Sequence, residues 1–99
     1  MKTIELLDEA KEDIVNGGFF YRQQGGDALK DYFVDSIFAS IDRLSFSANA
    51  YPVRHGCHRL LVDRFPYSVY YRIEGNVVKV WRVLDNRRDP VWIEQQLAP

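Results

Sequence analysis

Little in this chain can cross-link it or carry it into a membrane. Its 99 residues include one cysteine, Cys57, so no internal disulfide can form, which fits a reducing compartment. Long apolar runs are also missing. The opening segment MKTIELLDEAKEDI carries acids throughout, which excludes the hydrophobic region of a signal peptide, and no later stretch approaches the ~20 apolar residues of a membrane span. A cytoplasmic location is expected, with no membrane partner. No repeat, low-complexity stretch or linker divides the chain, leaving one domain over residues 1–99 with a small core. Cations are not in excess either: the formal net charge of -1 argues against a protein that wraps nucleic acid by charge alone. That average conceals a gradient. Residues 1–49 hold five Lys and Arg against nine Asp and Glu, a net of -4, whereas 50–99 hold eight against five, a net of +3. Any site is therefore expected in the second half.

What is present reads as an α+β domain. Thr3 to Leu7 predicts a first strand, and Asp8 a cap for the helix that follows, with Ala10, Ile14 and Gly18 on its apolar stripe. Gly25-Gly26 breaks the chain and Asp27 is placed to cap a second helix, in which Leu29, Phe33, Ile37, Ile41 and Leu44 recur at steps of four, four, four and three. Phe46 to Pro52 shows neither period and reads as a loop. Arg54 to Val62 predicts the next strand. The Tyr, Val and Ile of Pro66 to Ile73 predict another, Glu74-Gly75-Asn76 a turn, and Val77 to Leu84 the returning strand. Asp89-Pro90 then starts a short helix, with Asp as N-cap and Pro at the first helical position. Helices early and strands late imply a mostly antiparallel sheet with the helix pair on one face. Gly17-Gly18 and Gly25-Gly26 lack the spacing of a phosphate loop and read as a helix end and a turn.

The basic residues of the second half carry the candidate site. Alternation in the hairpin puts Tyr67, Val69, Tyr71 and Ile73 in one apolar row and Ser68, Tyr70 and Arg72 in the other, which is expected to look away from the helices. With Arg59 before and Arg82 after, these side chains would form a cationic, Tyr-containing surface able to hold phosphates and stack bases. The alternative is a set of solvated arginines flanking a sheet. Arg87 and Arg88, at a strand end, suit bidentate binding of phosphate or carboxylate, and one of the two is expected to be held by Asp85, Asp89 or a carboxylate of the last helix instead. His55, Cys57 and His58 have the chemistry of zinc ligands, but alternation puts His58 opposite the other two and no further Cys or His exists, so no metal is expected. No cofactor is expected. A Cys/His nucleophilic pair has no third group to orient its base, and His58 remains a candidate base by position only.

The stretch GCHRLLVDRFPYSVYYRIEGNVVKVWRVLDNRRDPVWI, with the order of elements, resembles the RelE/ParE family of toxins from bacterial type II toxin–antitoxin modules, and most closely a plasmid-stabilisation subgroup. The resemblance implies a small sheet with two N-terminal helices on one face, and a growth-inhibiting toxin neutralised by a cognate antitoxin in a hetero-oligomer. It also divides by target. RelE-like members cleave messenger RNA on the ribosome, whereas ParE-like members inhibit DNA gyrase by binding. By resemblance, Ser68 falls where the nucleases carry an arginine and Leu61 where they carry a second basic residue, while Arg59 and Arg88 (or Arg87) match basic positions and the terminal tyrosine has no counterpart. Losing one preorganised charge donor costs roughly 3–4 kcal/mol of transition-state stabilisation, so these departures favour a ParE-like binding toxin over an enzyme. Were the protein an endoribonuclease, Arg59, Arg88 and His58 would carry the chemistry. A third reading is a weakly toxic protein of the same fold that mainly binds its antitoxin.

Overall fold

A computed structural model describes residues 1–99. A short strand β1 (Thr3–Leu6) leads into α1 (Asp8–Asp42), which is a hairpin of two helical arms. The chain leaves helical geometry at Gly25 and Gly26, and Gly26 has φ of 76°, a conformation that a side chain would strain. The break therefore falls where the glycine pair predicts it. The caps differ from expectation. Leu7, with no side-chain bond, is the N-cap of α1, and Asp8 lies inside the first turn, where its charge still complements the helix dipole. The Asp27 carboxylate takes the Arg22 guanidinium at 3.0 Å across the break.

Gly17-Gly18 is not a helix end. Both glycines are buried in the middle of the first arm, and a Cβ on Gly17 would lie 2.6 Å from the Phe33 ring on the second arm. The arms approach closely because this residue has no side chain. Below them, Tyr21, Phe33, Phe65 and Tyr67 form an aromatic cluster with ring centroids 4.9–5.3 Å apart in the tighter pairs. Segment 46–52, expected to be a loop, instead holds the end of a one-turn helix α2 (Leu44–Ser47) and a 3₁₀ turn (Ala48–Ala50). One local and one long-range hydrogen bond explain the difference: Ser47 Oγ donates to the Arg43 carbonyl at 2.8 Å, and Tyr71 Oη reaches up from the sheet to the Ala48 carbonyl at 2.6 Å. No sequence period records either contact.

The strand expected over 54–62 is two strands, β2 (Val53–Arg54) and β3 (Cys57–Leu61), joined by a two-residue turn. His55 and Gly56 both take positive φ, 54° and 81°, the conformation that tight hairpin turns require. β4 (Tyr67–Glu74) and β5 (Val77–Asp85) form the long hairpin, and α3 (Pro90–Leu97) ends the chain. Asp89 caps α3 as predicted, its carboxylate accepting from the Val91 N–H at 2.9 Å. The sheet runs β1-β5-β4-β3-β2, all antiparallel except β1, which pairs parallel with β5.

Each face has its own core. The helix hairpin covers Leu60, Val69, Tyr71, Val78, Val80 and Val83, while α3 places Ile93 and Leu97 on Cys57, Tyr70 and Leu84. A bulge makes this sorting possible. Tyr70 pairs with Arg82 and Tyr71 with Val80, so Trp81 has no partner and the alternation of β5 reverses across it. Before the bulge the even residues face the hairpin; after it Val83 does, and Leu84 faces α3. No helix is long and apolar enough to cross a membrane.

Candidate functional site

Ion pairing sorts the candidate arginines into scaffold and surface. Arg82 belongs to the scaffold. Its Nε donates to Asp13 Oδ2 at 2.7 Å and one terminal nitrogen to Oδ1 at 2.9 Å, while the other reaches Gln96 of α3 at 2.9 Å. Asp13 also accepts the Val83 N–H at 2.9 Å, on the stretch of β5 that β1 is too short to cover. One carboxylate thus satisfies an open sheet edge and a guanidinium that bridges α1 to α3. Asp13, with Glu9 beside it, holds the Arg82 pKa above its ordinary value against the opposing effect of burial. Arg82 is therefore tied into the fold from both α1 and α3.

Arg87 stays exposed but is held by its neighbour Asp85, which answers the expectation that one arginine of the pair is held. It makes a two-pronged contact with Asp85, 3.0 Å from Nε and 2.7 Å from a terminal nitrogen, and its own N–H donates to the same carboxylate. Burial pushes the Asp85 carboxyl up, but these bonds and the guanidinium charge outweigh it and leave the pKa below the ordinary value. Tyr70 must also be withdrawn as a stacking platform: it is 3% exposed, under α3. The polar row does look away from the helix hairpin, but α3 claims its centre.

Four arginines of the second half have neither a carboxylate within 4.0 Å nor a tyrosine hydroxyl partner: Arg54, Arg59, Arg72 and Arg88. Register shows that three share a face. Arg54 pairs with Cys57 and Arg59 with Tyr70, and Arg72 lies two residues from Tyr70 on the same strand. Cross-strand partners and alternate residues point the same way, so all three project on the α3 side of the sheet. Arg72 lies 4.2 Å over the Trp81 ring, and Arg88 stacks 3.6 Å over Trp92 of α3. Arg88 also lines a cleft of about 290 Å³ with Asn16, Phe20, Tyr67 and Trp92, between α1 and α3. A stacked guanidinium keeps its charge and most of its donors available to a ligand. Arg54, missed because an unbroken strand over 54–62 would put it on the face opposite Arg59, joins the group through the turn at His55-Gly56.

Of the residues that a nuclease would use, His58 lies across the sheet from Arg59. Arg59 Nε donates to Ser68 Oγ at 3.0 Å, and Ser68 donates to Asn86 Oδ1 at 2.5 Å. Ser68 has no exposed surface, so it acts as a neutral brace for Arg59. His58 points to the opposite face, stacked on Tyr71 at 5.1 Å with Nδ1 2.9 Å from the Tyr51 carbonyl. Adjacent strand residues cannot serve one reacting atom from opposite sides of a sheet. Cys57 is likewise buried beneath α3, across the sheet from His58, while His55 sits in the turn.

A second surface is apolar. Val15, Phe19 and Phe38 are each at least 40% exposed on the outside of the helix hairpin. With Leu6, Ile14 and Val34 they line a groove of about 390 Å³. Every charged residue of its lining is basic: Lys11, Arg22 and Lys30. Each has an acidic neighbour, Lys11 with Asp8 at 4.0 Å, Arg22 with Asp27 at 3.0 Å and Lys30 with Asp31 at 3.9 Å, so the rim carries exposed ion pairs rather than bare cations.

No curated protein matches the chain. Among solved structures, it is similar to a chain of the chromosomal ParDE toxin–antitoxin system from P. aeruginosa, with a TM-score of 0.76 and 22% identity over 84% of this chain and 94% of that one. At that identity the likeness concerns the fold. Residues 4–90 match the family model described as the ParE toxin of the type II toxin–antitoxin system, parDE. The chain therefore belongs to the ParE toxin family.

Proposed function

We propose that this toxin acts in the cytoplasm by binding a macromolecular target through the α3 side of its sheet, with DNA gyrase as the leading candidate. The observation that carries this reading is the neutral brace on Arg59. A cleaving toxin needs a charge donor and a proton-transfer group aimed at one phosphate. Here Ser68 is buried against Arg59, and the nearest imidazole, His58, lies on the far side of the sheet. Arg54, Arg59, Arg72 and Arg88 keep their charge without an ion-pair partner, which suits recognition rather than turnover.

Neutralisation is assigned to the groove on the helix hairpin. A cognate antitoxin segment would lay an amphipathic helix there, with apolar residues on Phe19 and Phe38 and its polar face toward the ion-paired rim of Lys11, Arg22 and Lys30. Supercoiling by purified gyrase, titrated with the antitoxin-free protein, tests the target. Inhibition relieved by the product of the adjacent gene is the expected result. Full supercoiling at saturating toxin removes gyrase, and cut messages in a translating extract would overturn the binding mechanism itself.

A further inference from the structure

A second cleft, of about 410 Å³, lies where β2 stops beside β3, lined by Arg43, Tyr51, Arg54, Arg59, Leu61 and Asp63 among others. It is polarised. Arg54 and Arg59 bring guanidiniums with no carboxylate partner to it; Arg59 Nε is held by the buried Ser68 at 3.0 Å and a terminal nitrogen by Asn86 at 3.5 Å, which leaves its remaining terminal donors for the cleft. Asp63 is paired with Arg43 at 3.4 Å, so its carboxylate adds no uncompensated charge, yet its side chain is 75% exposed and keeps acceptor capacity. Tyr51, Pro52 and Leu61 give apolar walls.

The strand edge adds a backbone donor. β2 pairs with β3 only as far as the Arg59 N–H, which donates to the Pro52 carbonyl at 2.9 Å, while the Val62 N–H turns the other way, to Tyr67. Alternation therefore points the Leu61 N–H outward, past the end of β2, at the sheet edge beside the cleft. A cavity of this size exceeds what a bare oxyanion needs and falls in the range of small-molecule sites.

From this arrangement we infer that the cleft binds a mononucleotide, with the phosphate on Arg54 and Arg59, the flat apolar ring between Tyr51 and Leu61, and a ribose hydroxyl or exocyclic amine donating to Asp63. Arginine suits a terminal phosphate because its planar fork matches two oxygens at once. Arg54 and Arg59 also belong to the proposed recognition face, but nucleotide binding and target inhibition are measured separately and can fail separately.

Calorimetric titration of the full chain with adenosine and guanosine 5′-monophosphates, the matching nucleosides and inorganic phosphate tests it, with backbone amide shifts at Tyr51, Arg54 and Leu61 locating the ligand. At least one monophosphate should bind, with its nucleoside and inorganic phosphate each weaker by about tenfold or more, the loss expected when charge-assisted hydrogen bonds or the ring contact are removed. Arg54→Ala, at an exposed position, should weaken binding by a similar factor with the unfolding midpoint unchanged, and Lys79→Ala should leave binding as it is. Equal affinity for nucleotide and nucleoside, equal affinity for nucleotide and phosphate, an unaffected Arg54→Ala variant, or no binding of either monophosphate at millimolar concentration would each overturn the site.

Discussion

Asp13 and Arg82 show how much can depend on two side chains, 11% and 13% exposed, that join α1, β5 and α3. Removing one partner leaves the other desolvated and alone. Arg82→Ala should destabilise the protein by about 2–4 kcal/mol, read as a shift in the urea midpoint. Arg82→Lys should recover only part of this, because an ammonium cannot occupy both Asp13 oxygens and Gln96 together. Among the surface arginines the expectation is opposite. Arg72→Ala should change stability by about 1 kcal/mol or less, the magnitude of a cation–π contact on Trp81, while weakening target inhibition measured in the supercoiling assay. A loss of fold in Arg72→Ala would place that residue in the scaffold instead.

Among the elements, the helix hairpin is the one most sensitive to bulk at its crossing. Gly17→Ala improves helix propensity by about 1 kcal/mol, but the new methyl meets the Phe33 ring well inside contact distance. Overpacking should win, with a net loss of about 1–2 kcal/mol in equilibrium unfolding. A stabilised Gly17→Ala protein would show that the arms can part without cost. α3 is short and depends on its cap, so Asp89→Ala should cost about 1 kcal/mol. Because α3 is the only cover over Cys57, Tyr70 and Leu84, that variant should also make the Cys57 thiol react faster with a thiol reagent.

The pH dependence belongs to the whole molecule, since it sums tyrosines from both helix and sheet. Burial, then the Asp85 charge, pushes the Tyr67 hydroxyl up to about 12, and burial raises Tyr71 and Tyr21 as well. A raised folded pKa means the native state holds these protons more tightly than the unfolded chain, whose tyrosines titrate near 10. Their contribution is therefore complete below pH of about 10 and is lost as pH rises through the folded values. The urea midpoint should be flat from about pH 8 to 9 and fall steeply between about 10 and 12. Asp85 works at the other end: its folded pKa lies below 3.8, so its contribution holds above that value and disappears as pH falls through the folded one. On the outer surface, Phe19→Ser with Phe38→Ser should leave gyrase inhibition intact but abolish rescue by the antitoxin, because both rings are exposed and only the groove loses apolar area. Rescue that persists in this variant would move the antitoxin off the groove.

Features that depend on local chemistry can be read from the residues alone. The four-residue spacing from Leu29 to Leu44, the glycine pair that breaks α1, the two-residue alternation of β4 and the Asp89-Pro90 start of α3 each act through neighbours within a turn or a strand, so each was legible. The hairpin residues likewise carried the family resemblance that the match over residues 4–90 bears out. Tertiary structure decided the rest, because it rests on partners far along the chain. Asp13 meets Arg82 across 69 residues, Asn86 meets Ser68 across 18, and Tyr71 stabilises a 3₁₀ turn 23 residues before it. The bulge at Trp81 inverts the facing of β5, and the turn at His55-Gly56 brings Arg54 onto the basic face. Arg82 is paired by a carboxylate that only folding brings close, whereas Arg87 is held by Asp85 two residues before it.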